Sequence, residues 1–468
     1  MNVYLVLLVV YAVGLTAVGL WIARLVRGSS DFFVAGRSLS APLLFSTVLA
    51  SNIGAGSTVG AAGLAYTDGL SAWWWNGSAA IGSVALALWV GPRIWELAAR
   101  HGFYTAGDFL EHRYGRLVRG VVAALIWVGT LAILAGQLIA GAAVLEVVAD
   151  VPRAWGTAIG AAAMIVYFVA GGLLSSAWVN AVQLVVLLVG LVVSLPIVLG
   201  KAGGLAGIAA ASPPHVWDVF YTSGPGSGFT LLAMLGPAFI ISPGLLQKVY
   251  GAANPRAVRL GVGVQALALG LFAFLPVLMG MSARVIAPDV PSPNLVLPTV
   301  LVEALPTWLG ALALAAVFSA EVSTCDAILF MLATSLSQDL YRRFVNPQAD
   351  DRTVLLVARI AAVAGGALGV LLAVQLPTVI GALSIFYTLL GVSLFVPVLA
   401  GLYIGRAGTP EACAAIVSGV AFVLAVQLSG RAGQAVWTNP NVGGLTAAAA
   451  AFTVVMLVRR ARRGRRET

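Results

Sequence analysis

Charge is what this chain has least of. Only 9% of its 468 residues are Asp, Glu, Lys or Arg and 60% are hydrophobic, whereas an ordinary soluble domain is about a quarter charged. The few charges cluster, and no stretch is rich enough in them for a soluble domain of ordinary size. Cysteine is nearly absent: Cys325 and Cys413 both fall in apolar runs, which excludes a disulfide framework or a thiolate metal cage. Three scattered histidines, His101, His112 and His215, exclude a histidine-rich metal centre. A basic leader is missing as well. The chain opens Met1-Asn2-Val3-Tyr4, runs apolar to Ile22 and meets its first positive charges at Arg24 and Arg27. That order predicts a retained first helix with its N-terminus outside, not a cleaved signal peptide.

What is present is a succession of apolar runs, each near the roughly 20 residues that span a bilayer. Read against Gly, Pro and charge punctuation, they predict an all-α integral membrane protein of thirteen spans. A leading helix at 3–23 precedes ten core spans at 41–66, 72–92, 119–147, 154–171, 174–199, 227–249, 257–283, 307–338, 354–375 and 378–404. Two further spans follow at 411–428 and 438–458. With the N-terminus outside, 22 of the 26 Lys and Arg fall on the inner side, and the outer loops keep only Arg153, Lys201, Arg284 and Arg431. This bias sets a cell-membrane topology with the Arg459–Arg466 tail cytoplasmic. The net charge of +9 is then explained by topology and by contact with anionic lipid, not by nucleic acid. On this reading every Lys and Arg lies at an interface.

Two intramembrane stretches are hostile to a helix and fall in corresponding places. One is Asn52-Ile53-Gly54-Ala55-Gly56-Ser57 in core span one; the other is Gly236-Pro237 with Ser242-Pro243-Gly244 in core span six. Matching broken helices in two halves point to an inverted-repeat transporter with a site at mid-membrane. A helix that stops there leaves carbonyls without intrahelical partners, and such oxygens can hold a hard monovalent cation. Core span eight offers complementary groups, because Ala320, Ser323 and Thr324 share a helix face at i, i+3 and i+4. The alternative is that both hydroxyls bond back to carbonyls one turn earlier. Glu321 and Asp326 lie in the same run, where an ionisable group is costly. Structural or tuning roles are expected for both, with Glu321 directed off the ion-facing stripe by its 100° offset from Ala320.

Taken in order, several stretches resemble a known family: Asp31-Phe32-Phe33-Val34-Ala35-Gly36-Arg37, Ala50-Ser51-Asn52-Ile53-Gly54, Gly171-Gly172-Leu173 through Gln183, Leu246-Gln247-Lys248, Leu305-Pro306, Val322-Ser323-Thr324-Cys325-Asp326 and Ser337-Gln338-Asp339-Leu340-Tyr341. This is the sodium/solute symporter family of proline, pantothenate, sialic acid and sugar carriers, and the likeness covers nearly the whole chain. It implies a leucine-transporter-type core of two inverted five-helix repeats working by alternating access. The corresponding segments are 1–40 for the leading helix and inner loop, 41–200 and 227–406 for the repeats, 201–226 for an outer loop, and 407–468 for two peripheral helices and the tail. It also implies a sodium site formed by the carbonyls of Ala50, Ile53 and Ala320 with the hydroxyls of Ser323 and Thr324. Many members carry an aspartate where this chain has Asn180, so one sodium per cycle is expected.

By the same mapping the solute lies beside the break in span one. The expected liners are Asn52, Ser57, Thr58, Trp75, Asn76, Gln137, Phe239, Ser242, Phe386 and Tyr387. Of Trp73-Trp74-Trp75, at most one faces inward, and Trp75 is chosen; the others suit an interfacial belt. A sugar needs more polar groups than this, since each unpaired buried donor costs about 1–3 kcal/mol. A small solute with an apolar body and one carboxylate, an amino acid or monocarboxylate, fits better, its anion held by freed amides at a helix N-terminus. The alternatives are a proton-coupled symporter using Glu321 or a sodium/sugar symporter. An intramembrane enzyme is disfavoured because no His, Cys or paired-carboxylate constellation has suitable spacing. A channel is disfavoured because no filter loop or ring of pore charges appears.

Overall fold

The computed structural model describes residues 3–23, 35–221 and 227–467. The stretch Asp31 to Val34 and the side chains of Asn180, Ser323 and Asp326 lie outside the described residues. Every regular element among the described residues is a helix. Nine of these are long and apolar enough to cross a membrane, and two apolar helices, at 41–52 and 293–304, are shorter. The thirteen expected spans do not map one to one onto these nine: 56–101 joins parts of spans one and two, and the break after Asn52 leaves 41–52 below crossing length.

Helix α1 (Val3–Ala23) leads. Core span one is α2 (Ala41–Asn52), an irregular turn at Ile53–Ala55, a wide turn at Gly56–Gly60 and α3 (Ala61–Asp68). Span two is α4 (Trp73–Ala85), continued through a second wide turn into α5 (Gly91–His101). Helix α6 (Ala106–Tyr114) then leads into α7 (Arg116–Ala149), the third span.

The next stretch, α8 (Arg153–Lys201), is helical throughout, where two spans were expected. Straight, its 49 residues would hold its ends about 73 Å apart. Yet Arg153 donates to Pro377 O, Asn294 donates to the same carbonyl, and Lys201 donates to Glu303 O. Asn294 and Glu303 are nine residues apart, a reach of at most about 32 Å. The ends of α8 are therefore held closer together than a straight helix of that length allows.

Core span six is α9 (Ser227–Ile241) and α10 (Pro243–Tyr250), interrupted at Ser242, whose φ of −52° and ψ of 122° are not helical. Gly236-Pro237 makes no second break. Pro237 sits inside α9, because bilayer helices tolerate a proline whose freed carbonyl finds another partner. The remaining helices are α11 (Pro255–Phe272), α12 (Phe274–Ile286), α13 (Val296–Ala304), α14 (Thr307–Thr334, running on in wide turns to Val345), α15 (Asp351–Gln375), α16 (Val379–Tyr403), α17 (Thr409–Leu428) and α18 (Pro440–Glu467). Helix α14 packs along α7 and α8 and meets α2. The middle of span eight thus lies against the break in span one.

Arginines pin one face of the bundle. Gly36, at φ 58°, turns the chain so that Arg37 reaches Tyr250 O, Ala98 O and Phe103 O at 2.9–3.1 Å. Tyr250 O closes α10, and Ala98 O, in the last turn of α5, also accepts from Gly102 N and Phe103 N. A second cluster centres on Arg119, only 7% exposed. Its guanidinium bonds Asp339 Oδ1 at 2.7 Å, Asp108 Oδ1 at 2.8 Å and Glu111 Oε2 at 2.9 Å, joining α6, α7 and the end of α14. Burial tends to raise the Glu111 carboxyl, but hydrogen bonds from Arg119 and Arg343 outweigh it and hold the group below its ordinary range.

Candidate functional site

Helix α2 ends at Asn52 because Ile53 turns to φ −99° and ψ 91°. The amide of Ala55 is then bonded by Gln137 Oε1 at 2.8 Å, from the middle of α7. Ser57 N and Thr58 N both donate to Gly54 O. After the break in span one, the amides of Ala55, Ser57 and Thr58 are thus already engaged. The cause is the wide turn after the break, which wraps onto Gly54, and the glutamine of span three, which caps what is left.

Carbonyls gather on the other side of the break. Thr324 Oγ1, on α14, stands 3.5 Å from Ala50 O, 3.5 Å from Ser51 O and 3.4 Å from Ile53 O. A single hydroxyl proton cannot serve three acceptors, and these separations are long for O–H···O bonds. They match the spacing of neighbouring oxygens around a hard cation, about 3.3–3.7 Å when each ligand lies 2.3–2.6 Å from the ion. Ala320 is 2% exposed, one turn away on the same helix. The carbonyl of Ser51 was not foreseen; its signal is that all the last carbonyls of a broken helix are freed, not the flanking ones alone.

Glu321 is fully buried, and its Oε1 lies 3.1 Å from Thr58 Oγ1. It therefore faces span one, against the expectation that it is directed away. Measured from Thr324 instead of Ala320, Glu321 is an i−3 neighbour only about 60° around the helix. Thr58 Oγ1 also lies 2.9 Å from Gly54 O, so its one proton serves either the carbonyl or the carboxyl.

Beside the break is a cavity of about 50 Å³, room for three or four waters at about 10–15 Å³ each. Asn52, Ser57, Gln137, Phe239, Ser242, Phe386 and Tyr387 line it. Thr58, Trp75 and Asn76 stand behind that wall. Asn76 donates to Ser57 O at 3.1 Å. Trp75, 3% exposed, meets Tyr387 edge-on at 6.1 Å, while Trp73 and Trp74 donate outward to Gly270 O and Val219 O. Among the liners that were not expected is a basic residue. Lys248 is 2% exposed, lines the cavity and donates to Thr47 Oγ1 at 3.1 Å. The expectation that every basic residue lies at an interface fails here. The interruption at Ser242 carries α10 inward, and Lys248 shares a face with Gly244 by the i, i+4 relation.

The sequence matches the model of the sodium:solute symporter family over residues 32–419. The sodium/pantothenate symporter of Escherichia coli K12 is 29% identical over 424 residues, covering 86% of this chain and 85% of that protein. Another Escherichia coli K12 protein, the uncharacterised symporter YidK, is 28% identical over 70% of this chain, and the match spans 60% of that relative's length. Among solved structures, an outward-open, substrate-bound sodium-coupled sialic acid symporter superposes with a TM-score of 0.82 over 97% of both chains at 17% identity, which shows the fold. The broken first and sixth core spans, the threonine facing freed carbonyls and the match over most of the chain place this protein in the sodium:solute symporter family.

Proposed function

We propose that this protein is a secondary transporter that couples one sodium ion to the uptake of a small solute with an apolar body and a carboxylate, an amino acid or monocarboxylate. The observation that carries the reading is Thr324 Oγ1 standing 3.4–3.5 Å from three carbonyls of broken span one. Ala50, Ile53, Ala320, Ser323 and Thr324 form the sodium shell, with Ser51 O added. The shell is neutral, so it suits a hard cation and has no group to carry a proton. The solute occupies the cavity walled by Phe239, Phe386 and Tyr387. In alternating access this cavity opens to one side of the membrane at a time. Alternating movement of the repeats 41–200 and 227–406 provides the opening, in a cell membrane with the basic tail cytoplasmic. Pantothenate and sialic acid, which name two relatives, both carry a carboxylate.

The test is uptake in proteoliposomes under separate sodium and proton gradients. Glu321→Gln keeps the shape and the polar contact to Thr58 but cannot carry a proton. It is expected to retain sodium-driven uptake, with a Hill coefficient for sodium near one. Loss of uptake in this variant, together with wild-type uptake driven by a pH gradient without sodium, would establish the proton-coupled alternative.

A further inference from the structure

We infer that Lys248, with Asn52 beside it, is the anchor for the solute's carboxylate. This rests on the reading above that the solute carries one. Ser51 and Ser57 commit their hydroxyl protons to Val48 O and Asn52 O and have only acceptor lone pairs left. Gln137 spends its carbonyl oxygen on Ala55 N, which leaves its NH2 group as a donor beside that of Asn52. Asn52 is 8% exposed, lines the cavity, and its amide nitrogen has no acceptor within hydrogen-bond reach among the described residues. A buried donor left so is destabilising and is retained where a ligand supplies the acceptor.

Lys248 adds a positive charge to the same wall. An ammonium has three protons to distribute, and a carboxylate in the cavity can accept one of them while Thr47 keeps another. Asn52 is the last residue of α2, and Lys248 lies in the last turn of α10, the half of span six that follows Ser242. A carboxylate bridging them would tie the two broken spans together next to Thr324, which lines the same cavity. This gives a physical link between solute and ion. Whatever draws span one into place completes the sodium shell, and by reciprocity sodium tightens the solute.

Purified full-length protein in detergent supplies the test, with thermal unfolding followed in sodium or potassium chloride against L-proline, lactate, pantothenate, glucose and choline. Binding to the folded state raises the unfolding temperature. At least one of the three carboxylates is expected to stabilise the wild type, and more so in sodium. Lys248→Gln is expected to weaken that carboxylate's apparent affinity tenfold or more, with Lys248→Arg largely restoring it. Sodium alone should stabilise Lys248→Gln as it does the wild type, which shows the variant to be folded. Should Lys248→Gln not fold, Asn52→Leu is expected to show the same selective loss. Equal carboxylate binding by wild type and folded variant would overturn the anchor while leaving the carboxylate reading intact. Stabilisation by glucose or choline alone, or by no carboxylate, would overturn the reading itself.

Discussion

Replacing Gly54 by alanine is expected to abolish sodium activation of uptake while leaving the protein in the membrane. An added Cβ at this position would collide with Thr324 Oγ1 and lie 2.7 Å from both Thr324 Cβ and Gln137 Oε1. None of these neighbours can yield cheaply. Thr324 is 6% exposed and Gln137 1%, and the glutamine oxygen is engaged as the cap of Ala55. Interiors packed this closely respond to one extra methyl by shifting backbone or rotamers. Here the shift must separate α14 from the broken span, pulling the threonine oxygen away from three carbonyls. Loss of two or more shell oxygens, each contributing about 1.5–3 kcal/mol to a charged partner, corresponds to at least a hundredfold rise in the sodium needed for half-maximal uptake. Sodium titration of initial uptake rates, with surface-expressed protein quantified in parallel, checks it.

The second large effect concerns folding, not transport. Arg119→Met is expected to lower stability by about 3–5 kcal/mol, because it leaves the 3%-exposed Asp339 without its cation. Thr105 Oγ1 still donates to Asp339 Oδ1 at 2.5 Å, so one contact survives, but the charge does not find another arginine nearby: Arg343 is engaged with Glu111. The double variant Arg119→Met/Asp339→Asn should recover much of the loss, since removing both charges costs far less than stranding one. Thermal unfolding of the three proteins in the same detergent measures this. A single variant as stable as the wild type would mean that the cluster contributes nothing.

The architecture was legible because the membrane leaves few choices. Apolar runs and the break at Asn52–Ser57 follow from what a bilayer tolerates, and the helices reproduce them. Within the hostile stretch of span six the interruption falls at Ser242 and not at Pro237, because a proline in a bundle is accommodated by its neighbours. Two readings failed for reasons of position. The offset of Glu321 from Ala320 points it off the ion-facing stripe, but its i+3 relation to Thr324 turns it to span one. Lys248 reads as an interface residue because hydropathy cannot show a half-helix that brings its charge to the cavity. Gln137 is the subtler case: its place beside the break was foreseen, but whether an amide faces a ligand or caps a backbone is decided by distances no sequence states.

The central claim, that span one's freed carbonyls and the hydroxyls of span eight hold the transported sodium, meets its most direct test in the sodium dependence of binding to Thr324→Ala and Ser323→Ala. Sodium-induced thermal stabilisation of each purified variant, titrated against the wild type, reads the site without requiring the solute. The account predicts that both variants bind sodium about tenfold or more weakly, the cost of one lost oxygen at a charge. Undiminished sodium stabilisation in both would contradict it.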